Sequence, residues 1–191
     1  MTTLSRSLFE QPWPEGEYRF FQLGFVVDDL IATATNWLTA FGVGPFHVLP
    51  HLRTDCTYRG EPSVLDFQVA VAQAGPVQIE LLQQFDDRPS VLRDLVAQGE
   101  QGFHQICTVT PDYEGKKSHY EALGYEQRCE IITAEHRVAY FDTVDDFGFF
   151  TEVVAETPKF LAQLAEIAQT CAQWDGTDPV RILTRDGYRT P

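Results

Sequence analysis

The sequence predicts an α+β chain made of two similar halves, each reading strand, helix, strand, strand, strand. Three observations carry this. First, Phe21-Gln22-Leu23-Gly24-Phe25-Val26-Val27 and Phe103-His104-Gln105-Ile106-Cys107-Thr108-Val109 are both apolar runs rich in aromatic and β-branched residues. Second, each run is followed by a helical pattern closing on Ala-x-Gly, so that Phe21/Phe103, Val27/Val109, Ala40/Ala122 and Gly42/Gly124 share an offset of 82 positions. Third, Ile79-Glu80-Leu81-Leu82 matches Thr151-Glu152-Val153-Val154 later in each half, 72 positions apart. Self-similarity of this kind implies two like units packed side by side.

The elements follow in order. Residues 1–17, polar with Pro12, Pro14 and Gly16, read as an N-terminal arm. The first module with its link takes 18–98. Its strand at 20–27 leads through Asp28 and Asp29, which offer cap chemistry, into a helix over 30–41. Leu30, Ala34, Trp37, Leu38 and Phe41 form its apolar stripe and Gly42 stops it. Strands are expected at 45–52, 65–73 and 77–83, with a polar loop around Arg59-Gly60-Glu61-Pro62 and a turn at Gly75-Pro76. A short helix and link fill 86–99. The second module, 99–156, repeats the order with a strand at 103–109, a helix at 112–123 and strands at 125–132, 137–142 and 149–155. Asp145-Asp146-Phe147-Gly148 reads as a turn. Within 157–191, Thr157-Pro158 opens a helix reaching Trp174, and an extended tail follows.

At 191 residues with 43 % apolar content, the chain is long enough to bury a core. A net charge of −14 argues against nucleic acid and against anionic lipid, both of which need basic patches. No apolar run is long enough to span a membrane, and no secretory signal is visible, so we expect a cytoplasmic protein. Cys56, Cys107, Cys129 and Cys171 lie far apart without a CxxC pair, as reduced thiols would.

Four polar residues interrupt the apolar strands: Gln22, Glu80, His104 and Glu152. Strand alternation puts Gln22 with Gly24 and Val26, Glu80 with Gln78 and Leu82, His104 with Ile106 and Thr108, and Glu152 with Phe150 and Val154. Sheet edges that leave these side chains in water would account for any one of them. Two glutamates at matched positions of a repeat are harder to explain so, because a buried carboxylate needs compensation, which a divalent cation supplies.

The segments "FQLGFVVDDL", "VQIELLQ", "GFHQICTV" and "GFFTEVV" resemble the vicinal oxygen chelate superfamily, the group of glyoxalase I, methylmalonyl-CoA epimerase, extradiol dioxygenases and bleomycin-resistance proteins. The resemblance covers roughly residues 20–156. It implies two βαβββ modules pairing into a curved, barrel-like mixed sheet around a metal cleft. It places the metal ligands on Gln22, Glu80, His104 and Glu152, a set similar to that of zinc-type glyoxalase I. It also implies that Glu152 is the catalytic base, with Glu80 as partner carboxylate. The ion expected is one divalent metal: zinc first, with nickel, cobalt, manganese or magnesium as the others. The reaction implied is that of a metal-dependent lyase or isomerase/epimerase removing a proton next to a carbonyl, through an enediolate or enolate.

Gln22 stands where an extradiol iron site would carry histidine, which disfavours oxygen chemistry. Val26 and Glu100 stand where glyoxalase I carries glutathione-binding arginines, which disfavours a glutathione adduct. Basic residues for a CoA tail are scarce. The expected partner is a small carbonyl-containing molecule, within a homodimer. The alternative is a small-molecule binding protein on the same scaffold, without turnover.

Overall fold

The computed structural model describes residues 20–191, so the arm expected at 1–17 lies outside the described residues. The first module comprises β1 (Phe20–Val26), α1 (Leu30–Phe41), β2 (Phe46–Val48), β3 (Leu52–Tyr58), β4 (Glu61–Ala74) and β5 (Val77–Gln84). A short helix, α2 (Val91–Leu95), links it to the second module of β6 (Gly102–Thr110), α3 (Tyr113–Ala122), β7 (Gln127–Ile132), β8 (Arg137–Phe141), α4 (Val144–Phe147) and β9 (Phe150–Ala155). The chain ends with α5 (Pro158–Ala172), β10 (Val180–Thr184) and β11 (Gly187–Arg189).

The helix boundaries follow local chemistry. Asp29 accepts from the Ala32 amide at the start of α1, and Gly42 takes the left-handed conformation (φ 68°) that ends it. Asp112 caps α3 through the Gly115 amide, and Thr157 caps α5 with Pro158 in its first turn.

The strands run in the order β4-β3-β7-β8-β9-β6-β1-β5 and close through β4–β5 pairing into an eight-stranded mixed barrel. The modules meet at two antiparallel seams, β1–β6 and β3–β7. β2 branches from β4 and carries β10 and β11. The expected barrel-like α+β architecture therefore stands, with local differences, of which the first is that the strand expected at 45–52 spans only Phe46–Val48. The supposed loop before Glu61 is mostly a strand: β3 pairs with β4 on one side and β7 on the other, and Arg59-Gly60, both at positive φ, form its hairpin turn. The tail is a hairpin extending the sheet beside β2. Asp145 and Asp146 lie in a short helix, α4.

An interior cluster joins Val26, Leu65, Val69, Val71, Leu82, Cys129, Ile131, Tyr140 and Phe150 from the strands. Helix α2 closes one mouth of the barrel with Val91, Leu92 and Val96. Helix α5 lies over the other. Its Phe160 ring meets Phe21 and His136, Ile167 enters the interior cluster, and the Cys171 thiol meets the Gln73 amide.

Candidate functional site

Directly paired residues on neighbouring strands share a face, so the register identifies what lines the interior. One belt runs Tyr58, Cys129, Tyr140, Glu152, Cys107, Gln22, Gln78 across β3, β7, β8, β9, β6, β1 and β5. Beside it, Gly24 pairs with Glu80 on one side and Gln105 on the other. Gln22, Glu80, Gln105 and Glu152 thus converge on one interior surface, with relative exposures of 6, 9, 0 and 5 %.

Gln105 joins the acids. Its Nε2 donates to Glu80 Oε2 at 3.0 Å and to Glu152 Oε2 at 3.4 Å. Gly24 makes room for it: a Cβ there would lie 2.3 Å from the Gln105 Cδ and 2.4 Å from its Nε2. Gln22 lies farther along β1, its Nε2 3.5 Å from Gln78 Oε1.

His104 does not join them. Its Nε2 lies 2.9 Å from the Val91 carbonyl in α2, its Nδ1 meets Gln105 Oε1, and its ring stacks on Phe150 at 5.0 Å. The reason is a β-bulge. Gly24 pairs with Gln105 but the next residue, Phe25, pairs with Phe103, leaving His104 as the extra residue of β6. The module symmetry agrees. In β1, Gly24 faces Glu80; in β6, Cys107 faces Glu152. Counting back two residues from each, the counterpart of Gln22 is Gln105. The expected face of His104 with Ile106 and Thr108 is corrected accordingly: Gln105 and Cys107 point inward. A second offset in the sequence, 83 positions, carries the same message through Gln22/Gln105 and Val26/Val109.

Burial governs the electrostatics. It pushes Glu80 well above the usual carboxylate value, the charge of Glu152 adds to this, and the Gln105 donor opposes it. Glu152 is also raised by burial but is opposed by three donors: the Cys107 thiol, the Tyr140 hydroxyl and the Gln105 amide. Burial lowers His104, favouring neutral imidazole. The pair is therefore a coupled proton-holding device, in which protonation of one acid relieves the other.

Among the described residues, no group of three or more His, Cys, Asp or Glu side chains is arranged to hold a metal ion. The His104-containing set is thus not assembled here. The two buried acids and the glutamine amides on the same surface are the groups that could hold a cation. Their carboxylates are bridged only by a neutral amide, in the space that Gly24 leaves open. With the amide oxygens turned toward the acids the set would be all oxygen, which suits magnesium or manganese better than zinc, a metal that favours nitrogen and sulfur.

Among the other polar residues, Tyr140 lies next to the acid pair, as the direct partner of Glu152 on β8. His51 pairs with Asp66 at 2.5 Å on the surface, and His47 is buried beside β4 with its Nδ1 unpartnered. Val26 is fully buried, and Glu100 is exposed. No described helix is long and apolar enough to cross a membrane.

Comparison with known proteins agrees with this architecture. Methylmalonyl-CoA epimerase from Mycobacterium tuberculosis superposes with a TM-score of 0.52 at 16 % identity, covering 81 % of this chain and 99 % of that one. A hypothetical protein of Bacillus halodurans gives 0.52 at 14 % identity, covering 73 and 94 %. A variant methylmalonyl-CoA epimerase of Streptomyces coelicolor, in complex with 2-nitronate-propionyl-CoA, gives 0.50 at 17 % identity, covering 75 and 97 %. No curated protein sequence matches the chain. The sequence profile of one family matches residues 21–140, and on that match the chain belongs to the Glyoxalase/Bleomycin resistance protein/Dioxygenase superfamily.

Proposed function

We propose that this chain is an isomerase or lyase of the epimerase type, which removes and returns a proton on carbon next to a carbonyl. The observation that carries this reading is the buried pair Glu80 and Glu152, drawn from matching strands of the two modules and bridged by one amide. Epimerase names among the structural neighbours support it.

Glu152 acts as the base. The Cys107 thiol and the Tyr140 hydroxyl beside it favour its ionised form over that of Glu80, so it is the acid ready to accept a proton. Glu80 is the partner that holds or returns one. Gly24 leaves the room that the Gln105 amide occupies between them, and the apolar interior excludes water.

Glu80, Glu152, Gln22 and Gln105 would hold a divalent cation. Bound there, such an ion supplies a positive charge that stabilises the oxygen on which negative charge grows. His104 then sets the direction of the Gln105 amide. A neutral His104 that donates through Nε2 to Val91 has a lone pair on Nδ1. An amide turned to donate to that nitrogen presents its oxygen to the acids.

The test is solvent exchange. The full chain is incubated with Mn2+ or Mg2+ in deuterium oxide, with racemic 2-methylacyl thioesters and 2-hydroxy ketones as probes. Deuterium should enter the α-carbon with the wild type and not with Glu152→Gln. Tight binding of a probe without exchange would assign the small-molecule binding role instead.

A further inference from the structure

We infer that Cys56 and Cys129 form a peroxide-sensitive thiol pair on the β3–β7 seam, closing reversibly to a disulfide that ties the two modules together. All four cysteines are free. β3 meets β7 through Thr57–Glu130 and Tyr58–Cys129, so Cys56 stands on the diagonal from Cys129. The two side chains share one face of the seam, Cys56 packs against the interior cluster that contains Cys129, and Ser63 is the direct partner of Cys56 on β4.

Their surroundings divide the work. Cys56 is half-buried, within reach of a small oxidant, while Cys129 lies in the interior cluster. The Cys129 and Ser63 side chains beside it hold the Cys56 thiol below its ordinary value, and Cys129 is raised by its neighbour Cys56 and by burial. An accessible, acidified thiol beside a resolving thiol is the arrangement of redox-responsive cysteines. The remaining two are engaged elsewhere: Cys107 is fully buried beside Glu152, and Cys171 contacts the Gln73 amide and the Pro45 carbonyl.

The chemistry balances with a hydroperoxide as oxidant. The Cys56 thiolate attacks one peroxide oxygen, the O–O bond breaks, and Cys56 becomes a sulfenic acid as the other oxygen leaves as water. The Cys129 sulfur then displaces the sulfenic oxygen as a second water. Two thiols are oxidised by two electrons and one hydrogen peroxide is reduced to two waters. Diagonal neighbours sit about 7–8 Å apart at Cα, wider than a disulfide prefers, so closure draws the end of this two-pair seam together.

The test is peptide mapping of the reduced full-length chain after equimolar hydrogen peroxide, with free thiols then alkylated. The expected product is a Cys56–Cys129 linked peptide, lighter by two hydrogens and released by dithiothreitol. In Cys129→Ala, Cys56 should stop at a sulfenic acid that dimedone captures. Mapping that finds both thiols alkylated, Cys56 over-oxidised without a link, or Cys56 joined to another chain would overturn the inference. The wild-type map decides even if the variant does not fold.

Discussion

The two modules supply the same kind of acid in different settings. Glu80 has a glycine, Gly24, on one neighbouring strand and Val71 on the other, and its donor is Gln105 from the opposite module. Glu152 sits between Cys107 and Tyr140, whose polar groups favour its charged form along with the Gln105 amide. Duplication therefore produced one open acid and one clamped acid. Where module two places the Cys107 thiol, module one places nothing, and the amide of Gln105 fills that space. Two carboxylates with different surroundings can divide the roles of proton donor and acceptor, which two identical ones cannot.

The largest effect on cation binding is expected from Gly24→Ala. Its new Cβ would overlap the Gln105 amide, which must leave the acids. We expect a loss of about 1–3 kcal/mol in urea unfolding, typical of an overfilled core, together with at least a tenfold loss of Mn2+ affinity by calorimetry. At the matching position in module two, Cys107→Ala removes one donor and a small volume. It should cost only about 1–2 kcal/mol. If Cys107→Ala loses as much Mn2+ affinity as Gly24→Ala, the asymmetry is not real.

His104→Ala sharpens the difference between the histidine and its neighbour. Loss of a fully buried, stacked ring should cost about 2–4 kcal/mol. Cation affinity should nevertheless fall far less than in Gln105→Ala, measured by the same titration. An equal or greater loss in His104→Ala would return the histidine to the ligand set.

The pH dependence follows from the raised acids. In the ion-free protein, Glu80 and Glu152 hold protons that unfolded glutamates release, so the folded state binds more protons than the unfolded one. Their contribution to stability is full below the ordinary value of 4.5 and declines as pH rises through their raised values. Glu80→Gln should flatten this decline and raise the melting temperature at pH 8 by a few degrees, while leaving that at pH 4 nearly unchanged. A steeper decline in the variant would contradict the burial argument. The smallest effect is expected for Tyr140→Phe, about 1 kcal/mol, from the loss of one of three donors to Glu152.

Much of this molecule was legible in the sequence because its strands are buried and its helices are capped. The runs at β1 and β6, the stops at Gly42 and Gly124, and the paired positions of Glu80 and Glu152 all follow from local patterns. β3 was not legible. It is polar and half-exposed, and only distant pairing with β4 and β7 makes it a strand. The β10–β11 hairpin depends on β2 in the same way. Gln105 was hidden by the bulge. The offset of 82 aligns Phe21 with Phe103, but the extra residue at His104 moves the rest of β6 by one, and alternation then assigns the wrong face.

The most direct test of the central claim is pulsed electron paramagnetic resonance of the Mn2+-loaded wild type. With Glu80, Glu152, Gln22 and Gln105 as the ligands, the bound ion should show no nitrogen modulation from an imidazole. A clear imidazole nitrogen signal that disappears in His104→Ala would contradict the account.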